Sequence, residues 1–104
     1  MGSPTQRSLK LLRDNDWDIE VVEKWIPGAN IRRDLFGIID LLGVKGMQTL
    51  GVQVTSYSNL SARLKKMGDS PMIGKLREAG WLLEAHGWKK NKAGKWEVKV
   101  VDVS

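Results

Sequence analysis

Asp40 is the only carboxylate inside the apolar run Leu35-Phe36-Gly37-Ile38-Ile39-Asp40-Leu41-Leu42-Gly43-Val44. The unit Gln53-Val54-Thr55 follows it across a Gly43–Gly46 turn, with twelve residues between Asp40 and Gln53. A carboxylate in such a run is costly to bury unless it finds a partner. If the two segments pair as a hairpin, Asp40 and Gln53 lie side by side on one face of a sheet, and the period-two geometry of a strand lets Gln53 and Thr55 project together. Convergent carboxylate and amide oxygens hold hard divalent cations. The matching chemistry is phosphodiester hydrolysis, in which a metal activates water and stabilises charge on the phosphate. Glu23 is a second acidic residue on an otherwise apolar face, that of Trp17, Ile19, Val21 and Trp25. It is either a further ligand or the partner of Arg32, Arg33 or Lys24. Asp40 has its own alternative role as a structural cap of a nearby loop.

These residues need a scaffold, and the sequence predicts one. Ser3-Pro4 opens a helix that carries Leu9 and Leu12, with Ser3 as cap and Pro4 at the first helical position. Asp14-Asn15-Asp16 ends it. Trp17 to Ile26 reads as one alternating strand, and Pro27-Gly28-Ala29-Asn30 as a turn. Leu35 to Val44 reads as a strand apolar on both faces, as in a sheet covered by helices. Thr49 to Thr55 is its hairpin partner. Ser58 or Asn59 caps a helix with Leu60, Leu64 and Met67 on one side. Gly68-Asp69-Ser70-Pro71 breaks it, a short helix resumes over Met72–Ala79, and strands follow at Trp81–Trp88 and Trp96–Val103. The predicted order is helix, three strands, helix, strand, strand, in one α/β domain spanning 1–104.

Composition narrows the chemistry. The 104 residues contain no cysteine and one histidine, which excludes disulfides, thiolate zinc sites, cysteine nucleophiles and histidine-rich zinc sites. Any metal is held by oxygen, which points to Mg²⁺ or Mn²⁺. The net charge is +5. Residues 1–56 hold seven basic and seven acidic side chains; residues 57–104 hold ten and five and supply the whole excess. A basic half suits a polyanion such as nucleic acid, set against the plainer reading of a lysine-rich solvated surface. No apolar run approaches a membrane span and no secretory leader is visible, so a cytoplasmic location without membrane contact is expected.

With the runs Arg33–Leu42, Leu50-Gly51-Val52-Gln53-Val54-Thr55-Ser56 and Ser58-Asn59-Leu60-Ser61-Ala62-Arg63, the chain resembles PD-(D/E)XK nuclease-like proteins of phages and bacteria. Small Holliday-junction resolvases and the VRR-NUC type are the nearest in layout. The pattern Gly80-Trp81 with His86-Gly87-Trp88 resembles the same phage-type group. The resemblance implies a restriction-endonuclease-like αβββαβ core, a mixed central sheet flanked by helices. It also implies a Mg²⁺- or Mn²⁺-dependent endonuclease acting on DNA, including branched DNA, and a homodimer. Asp40 matches the metal-binding aspartate and Gln53 the (D/E) position. Thr55 stands where the catalytic lysine is expected, and a neutral threonine cannot replace an ammonium. The first-helix glutamate has no match; Gln6 is the only long polar residue near that helix start. Some relatives carry the lysine on the following helix, which makes Arg63 the candidate cation here. The alternative is a catalytically inactive nuclease-fold protein that binds nucleic acid or regulates.

The remaining candidates each have a plainer role. Thr55 is a good β residue, Gln53 can hydrogen-bond across the sheet, and Arg63 can be a solvated helix residue or pair with Asp40. Arg32 and Arg33 are candidate phosphate contacts, or they form a surface ion-pair knot with Asp34. Lys89, Lys90, Lys92 and Lys95 form a basic turn that either grips phosphate or is simply solvated. His86 reads as a packed strand histidine. Five tryptophans could stack bases, but in a chain this short they mostly build the core.

Overall fold

In the computed structural model, which describes residues 3–104, ten elements follow one another. They are α1 (Pro4–Arg13), β1 (Asp18–Val21), β2 (Lys24–Ile26), β3 (Ile31–Arg33), β4 (Leu41–Lys45), β5 (Gln48–Ser56), α2 (Leu60–Asp69), α3 (Ile73–Glu78), β6 (Leu82–Lys90) and β7 (Trp96–Asp102). A single 3-10 turn, Tyr57–Asn59, joins β5 to α2. Five strands form a mixed sheet in the order β1-β4-β5-β6-β7, and β2 and β3 pair separately. β5 and β6 run parallel; every other neighbouring pair is antiparallel. The parallel pair requires a long crossover, which α2 and α3 supply.

Alternation along β5 decides what covers each face. Leu50, Val52 and Val54 point to one side, where Leu9 and Leu12 of α1 close a core with Ile19, Leu41 and Trp88. On the other side Leu60 and Met67 of α2 and Ile73 and Leu76 of α3 pack with Ile38, Ile39, Leu83 and Ala85. Each fully buried aliphatic side chain contributes about 1.5–3 kcal/mol, so both helical layers are anchored by a handful of residues. Pro4 occupies the first turn of α1, and Ser3 caps it by accepting from the Gln6 amide at 3.2 Å. No helix is long and apolar enough to cross a membrane.

Two predicted strands change shape. The run from Trp17 to Ile26 is not continuous. Val22 donates the last ladder bond to the Asp40 carbonyl at 2.8 Å, the chain then leaves the sheet, and Lys24–Ile26 pairs with Ile31–Arg33 across the Pro27–Asn30 turn. The run from Leu35 to Val44 begins with a turn rather than a strand. Phe36 and Gly37 have φ of 55° and 76°, and Leu35 bridges Ile39. Only from Asp40, whose amide donates to the Val52 carbonyl, does the chain enter the sheet. Gly43 does not begin the hairpin turn. It lies within β4 opposite Leu50, and a Cβ there would come within 3.2 Å of the Ile19 side chain. The turn is Gly46-Met47. Asn59 holds the N-cap position of α2, one of the two residues expected there, but the 3-10 turn leads into the helix and no side-chain cap bond forms.

Candidate metal centre

Asp40 stands one residue before β4, and the pairing Leu41↔Val52 sets it beside Gln53 of β5 on the face covered by α2 and α3. One carboxylate oxygen, Oδ2, accepts from the Val54 amide at 2.8 Å and from Gln53 Nε2. Gln53 is fully buried, and its Nε2 also approaches Asp34 Oδ2 at 3.4 Å. Asp34 is brought there by the Leu35–Ile39 turn, which folds the chain back so that two carboxylates six residues apart face one amide. Glu23, from the break between β1 and β2, completes the group: oxygens of Glu23, Asp34 and Asp40 all lie within 4.8 Å of one another.

Burial pushes the Asp40 carboxyl up to about 7; a hydrogen bond and like charge from Asp34 act the same way, against the lowering effect of the Val54 and Gln53 donors. Three acidic groups at this spacing repel unless a proton or cation sits among them. Among the described residues, Gln53 Oε1 is the one buried side-chain polar atom without a partner. The amide nitrogen faces the carboxylates, so a half-turn about the last side-chain bond exchanges it for the orphaned oxygen. The donor set then becomes oxygen throughout, and such a set could hold a hard divalent cation.

The cluster opens into a cleft of about 710 Å³. Its walls include Thr5 and Gln6 at the start of α1, Trp25 and Arg32 of the small hairpin, Thr55 of β5, and Arg63 and Lys66 of α2. Lys66 Nζ is 3.5 Å from Asp34 Oδ2, and Arg32 is 3.5 Å from Glu23 Oε1.

The fold thus brings Glu23, Asp40, Gln53, Thr55, Arg32 and Arg63 to one place. Asp34 and Lys66 join them although their sequence context does not single them out. Asp34 is no partner of Arg32 or Arg33 in a surface knot, since its carboxylate is turned inward to Gln53 and Lys66. Lys66 lies three residues after Arg63 on the same side of α2, the one available hint. Arg33 is exposed on β3 opposite Lys24 and does not line the cleft. Lys89, Lys90, Lys92 and Lys95 do not line it either. Lys89 lies over the Tyr57 ring at 4.4 Å and Lys90 over Trp96 at 5.4 Å.

His86 belongs elsewhere. Fully buried on β6, it contacts Ser8 Oγ through Nδ1 and Glu84 Oε1 through Nε2, each at 2.9 Å. Trp88 Nε1 donates to the same Ser8 Oγ at 2.8 Å. The Glu84 carboxylate only accepts, so His86 Nε2 carries the proton donated to it, and in the neutral imidazole Nδ1 then accepts from Ser8 Oγ. The serine is sealed from solvent, so this Ser-His-Glu arrangement is a structural tie between α1 and β6, not a nucleophile. No protein-family model, curated protein or solved structure matches this chain.

Proposed function

We propose that this protein is a metal-dependent deoxyribonuclease of the PD-(D/E)XK kind, with its site in the cleft between α2 and the β2–β3 hairpin. The observation that carries the reading is the meeting of Glu23, Asp34 and Asp40 within 4.8 Å beside a buried amide with an orphaned oxygen. The order in which the large sheet is built supports it: helix, three strands, helical crossover, then the strand parallel to the third. Glu23, Asp34 and Asp40 would hold Mg²⁺ or Mn²⁺, with the Gln53 oxygen as a further ligand. The bound ion supplies Lewis-acid stabilisation of phosphate and a water of lowered pKa.

The chain's own groups do the rest. Val54 fixes the Asp40 carboxylate through its amide, at the rigid centre of the sheet. Lys66, 3.5 Å from Asp34 and one turn along α2 from Arg63, would take the part left open by Thr55. Its ammonium can orient water or meet a phosphate oxygen at the rim. Arg63 and Arg32 line the cleft where the flanking phosphates would lie. The inactive alternative, a binding or regulatory protein on the same scaffold, rests on the neutral Thr55 in the lysine's place.

Cleavage of linear duplex, single strand, flap and four-way junction DNA with Mg²⁺, Mn²⁺ or EDTA tests the reading, wild type against Asp40→Ala. Metal-dependent cutting lost in Asp40→Ala is the expected result. A folded wild type that cuts no substrate in either metal overturns the enzyme reading; salt-sensitive DNA binding would then leave the inactive alternative standing.

A further inference from the structure

One wall of the cleft is made by the β2–β3 hairpin, and an indole faces the cleft from it. Trp25 and Arg32 are directly opposite each other in the hairpin register, so their side chains share a face, and both line the cleft. Trp25 is 53% exposed and belongs to neither apolar core. Large aromatic side chains normally lose far more of their surface than this on folding, and one left open beside cations is placed to stack on a flat ligand. Arg32 pairs with Glu23 of the carboxylate cluster at 3.5 Å, so the indole and that cluster border the same cleft.

We propose that Trp25 is a specificity-determining residue that stacks one unpaired base of a DNA strand running through the cleft. Arg32 meets the phosphate next to that base, and Arg63 and Lys66 meet those that follow. This rests on the reading of the cleft as a DNA site and names the form of DNA it takes: a single strand, or the frayed or branched end of a duplex. Three features favour it. Stacking on an indole needs a free base face, which a closed duplex does not offer. The cleft, about 710 Å³ and open to solvent, has room for a single nucleotide beside the indole. The cations around the indole are placed for a backbone, and the one amide side chain of the cleft wall among the described residues, Gln6, belongs to α1 and not to the hairpin, so the preference is for unpaired structure rather than sequence.

The test separates base from backbone. Binding of a labelled twelve-nucleotide oligo-dT, an abasic strand of equal length and a hairpin duplex is measured by fluorescence anisotropy, with Ca²⁺ present to hold cleavage back. Wild type is expected to bind oligo-dT about tenfold more tightly than the abasic strand, toward the lower end of what one stacked base contributes, and more tightly than the duplex. Trp25→Ala removes the oligo-dT advantage while its abasic affinity falls less than twofold, and Trp25→Phe keeps most of the advantage. Equal binding of oligo-dT and abasic strand by wild type overturns the proposal, as does an equal loss on both in Trp25→Ala or a preference for duplex. The wild-type comparison decides the matter even if Trp25→Ala fails to fold. Mn²⁺-dependent cleavage with no base dependence would sink this inference alone; absence of both Mn²⁺ binding and DNA binding would sink the nuclease reading with it.

Discussion

Two buried polar groups lie on opposite faces of the same sheet, and they are built to opposite rules. In the chain Trp88–Ser8–His86–Glu84 every donor meets an acceptor, Ser8 and His86 are sealed from solvent, and Glu84 is the most exposed member. In the group Glu23–Asp34–Asp40–Gln53 three carboxylates crowd together, one amide oxygen is left over, and the whole opens into a cleft. A satisfied network stabilises the fold and has no use for a ligand. An under-satisfied one is held in a costly arrangement by the surrounding sheet, and a proton or a cation could relieve it. The presence of a serine, a histidine and a carboxylate in a row says less about activity than which group is complete.

The comparison breaks first at Asp40. Asp40→Ala is expected to weaken Mn²⁺ binding, measured by titration calorimetry, at least about a hundredfold, and to abolish cleavage. Ser8→Ala should leave Mn²⁺ affinity within twofold of wild type. Equal effects from the two substitutions would mean that the carboxylate group is as structural as the histidine chain.

The next largest effect is on stability against pH. The folded protein holds the Asp40 proton more tightly than the unfolded chain does, with a pKa of about 7 against the ordinary 3.8. Its stabilising contribution is therefore full below about pH 4 and is lost as pH rises through about 7. The whole shift corresponds to a loss on the order of 4 kcal/mol. Urea melts of the metal-free protein from pH 4 to 8 should show this fall. Asp40→Asn should flatten the slope and exceed wild type in stability at pH 8, and saturating Mn²⁺ should offset the loss. A pH-independent melt would mean that the carboxylates are not in fact crowded.

Ser8→Ala tests the other side. It leaves Trp88 Nε1 and His86 Nδ1 without their shared partner, so a loss of about 1–3 kcal/mol is expected in the same melts. A neutral result would mean that water enters behind α1.

How far the sequence discloses these two groups depends on what marks each residue. Asp40 is legible because a lone charge in an apolar run must have a reason, and Gln53 because a short hairpin puts it opposite. The sheet strands β5, β6 and β7 and helices α1 and α2 are legible from their apolar periods and turn residues. Asp34 is not, because Arg32-Arg33-Asp34 looks like a solvated ion-pair knot and only the turn at Phe36-Gly37 swings its carboxylate inward. The hairpin β2–β3 is hidden as well. Its strands are three residues each and almost wholly exposed: β2 continues the alternation of β1 and so reads as the same strand, and β3 shows none. That hairpin also explains why Trp25 stays open although most of the tryptophans do pack: it lies outside both apolar layers. Lys66 and Arg63 share a side of α2, and periodicity alone cannot say which reaches the carboxylates. The Ser8–His86 link joins residues 78 apart and depends wholly on how α1 lies across the sheet.

The smallest expected effect is the most discriminating about geometry. Gly37 and Gly80 both have left-handed φ, at 76° and 82°, with open space where a Cβ would go. Alanine at either position carries the same backbone cost, about 1–2 kcal/mol, and no clash. Gly80 ends the segment after α3, away from the cleft, whereas Gly37 lies in the turn that sets Asp34 against Asp40. Gly37→Ala should therefore weaken Mn²⁺ binding severalfold as well as lower stability. Gly80→Ala should lower stability to a similar degree and leave Mn²⁺ affinity unchanged. If both variants bind Mn²⁺ like wild type, the Asp34–Asp40 spacing is not fixed by the turn, and Asp34 is dispensable to the centre. If both lose affinity in proportion to stability, metal binding follows global folding rather than the local arrangement of the three carboxylates.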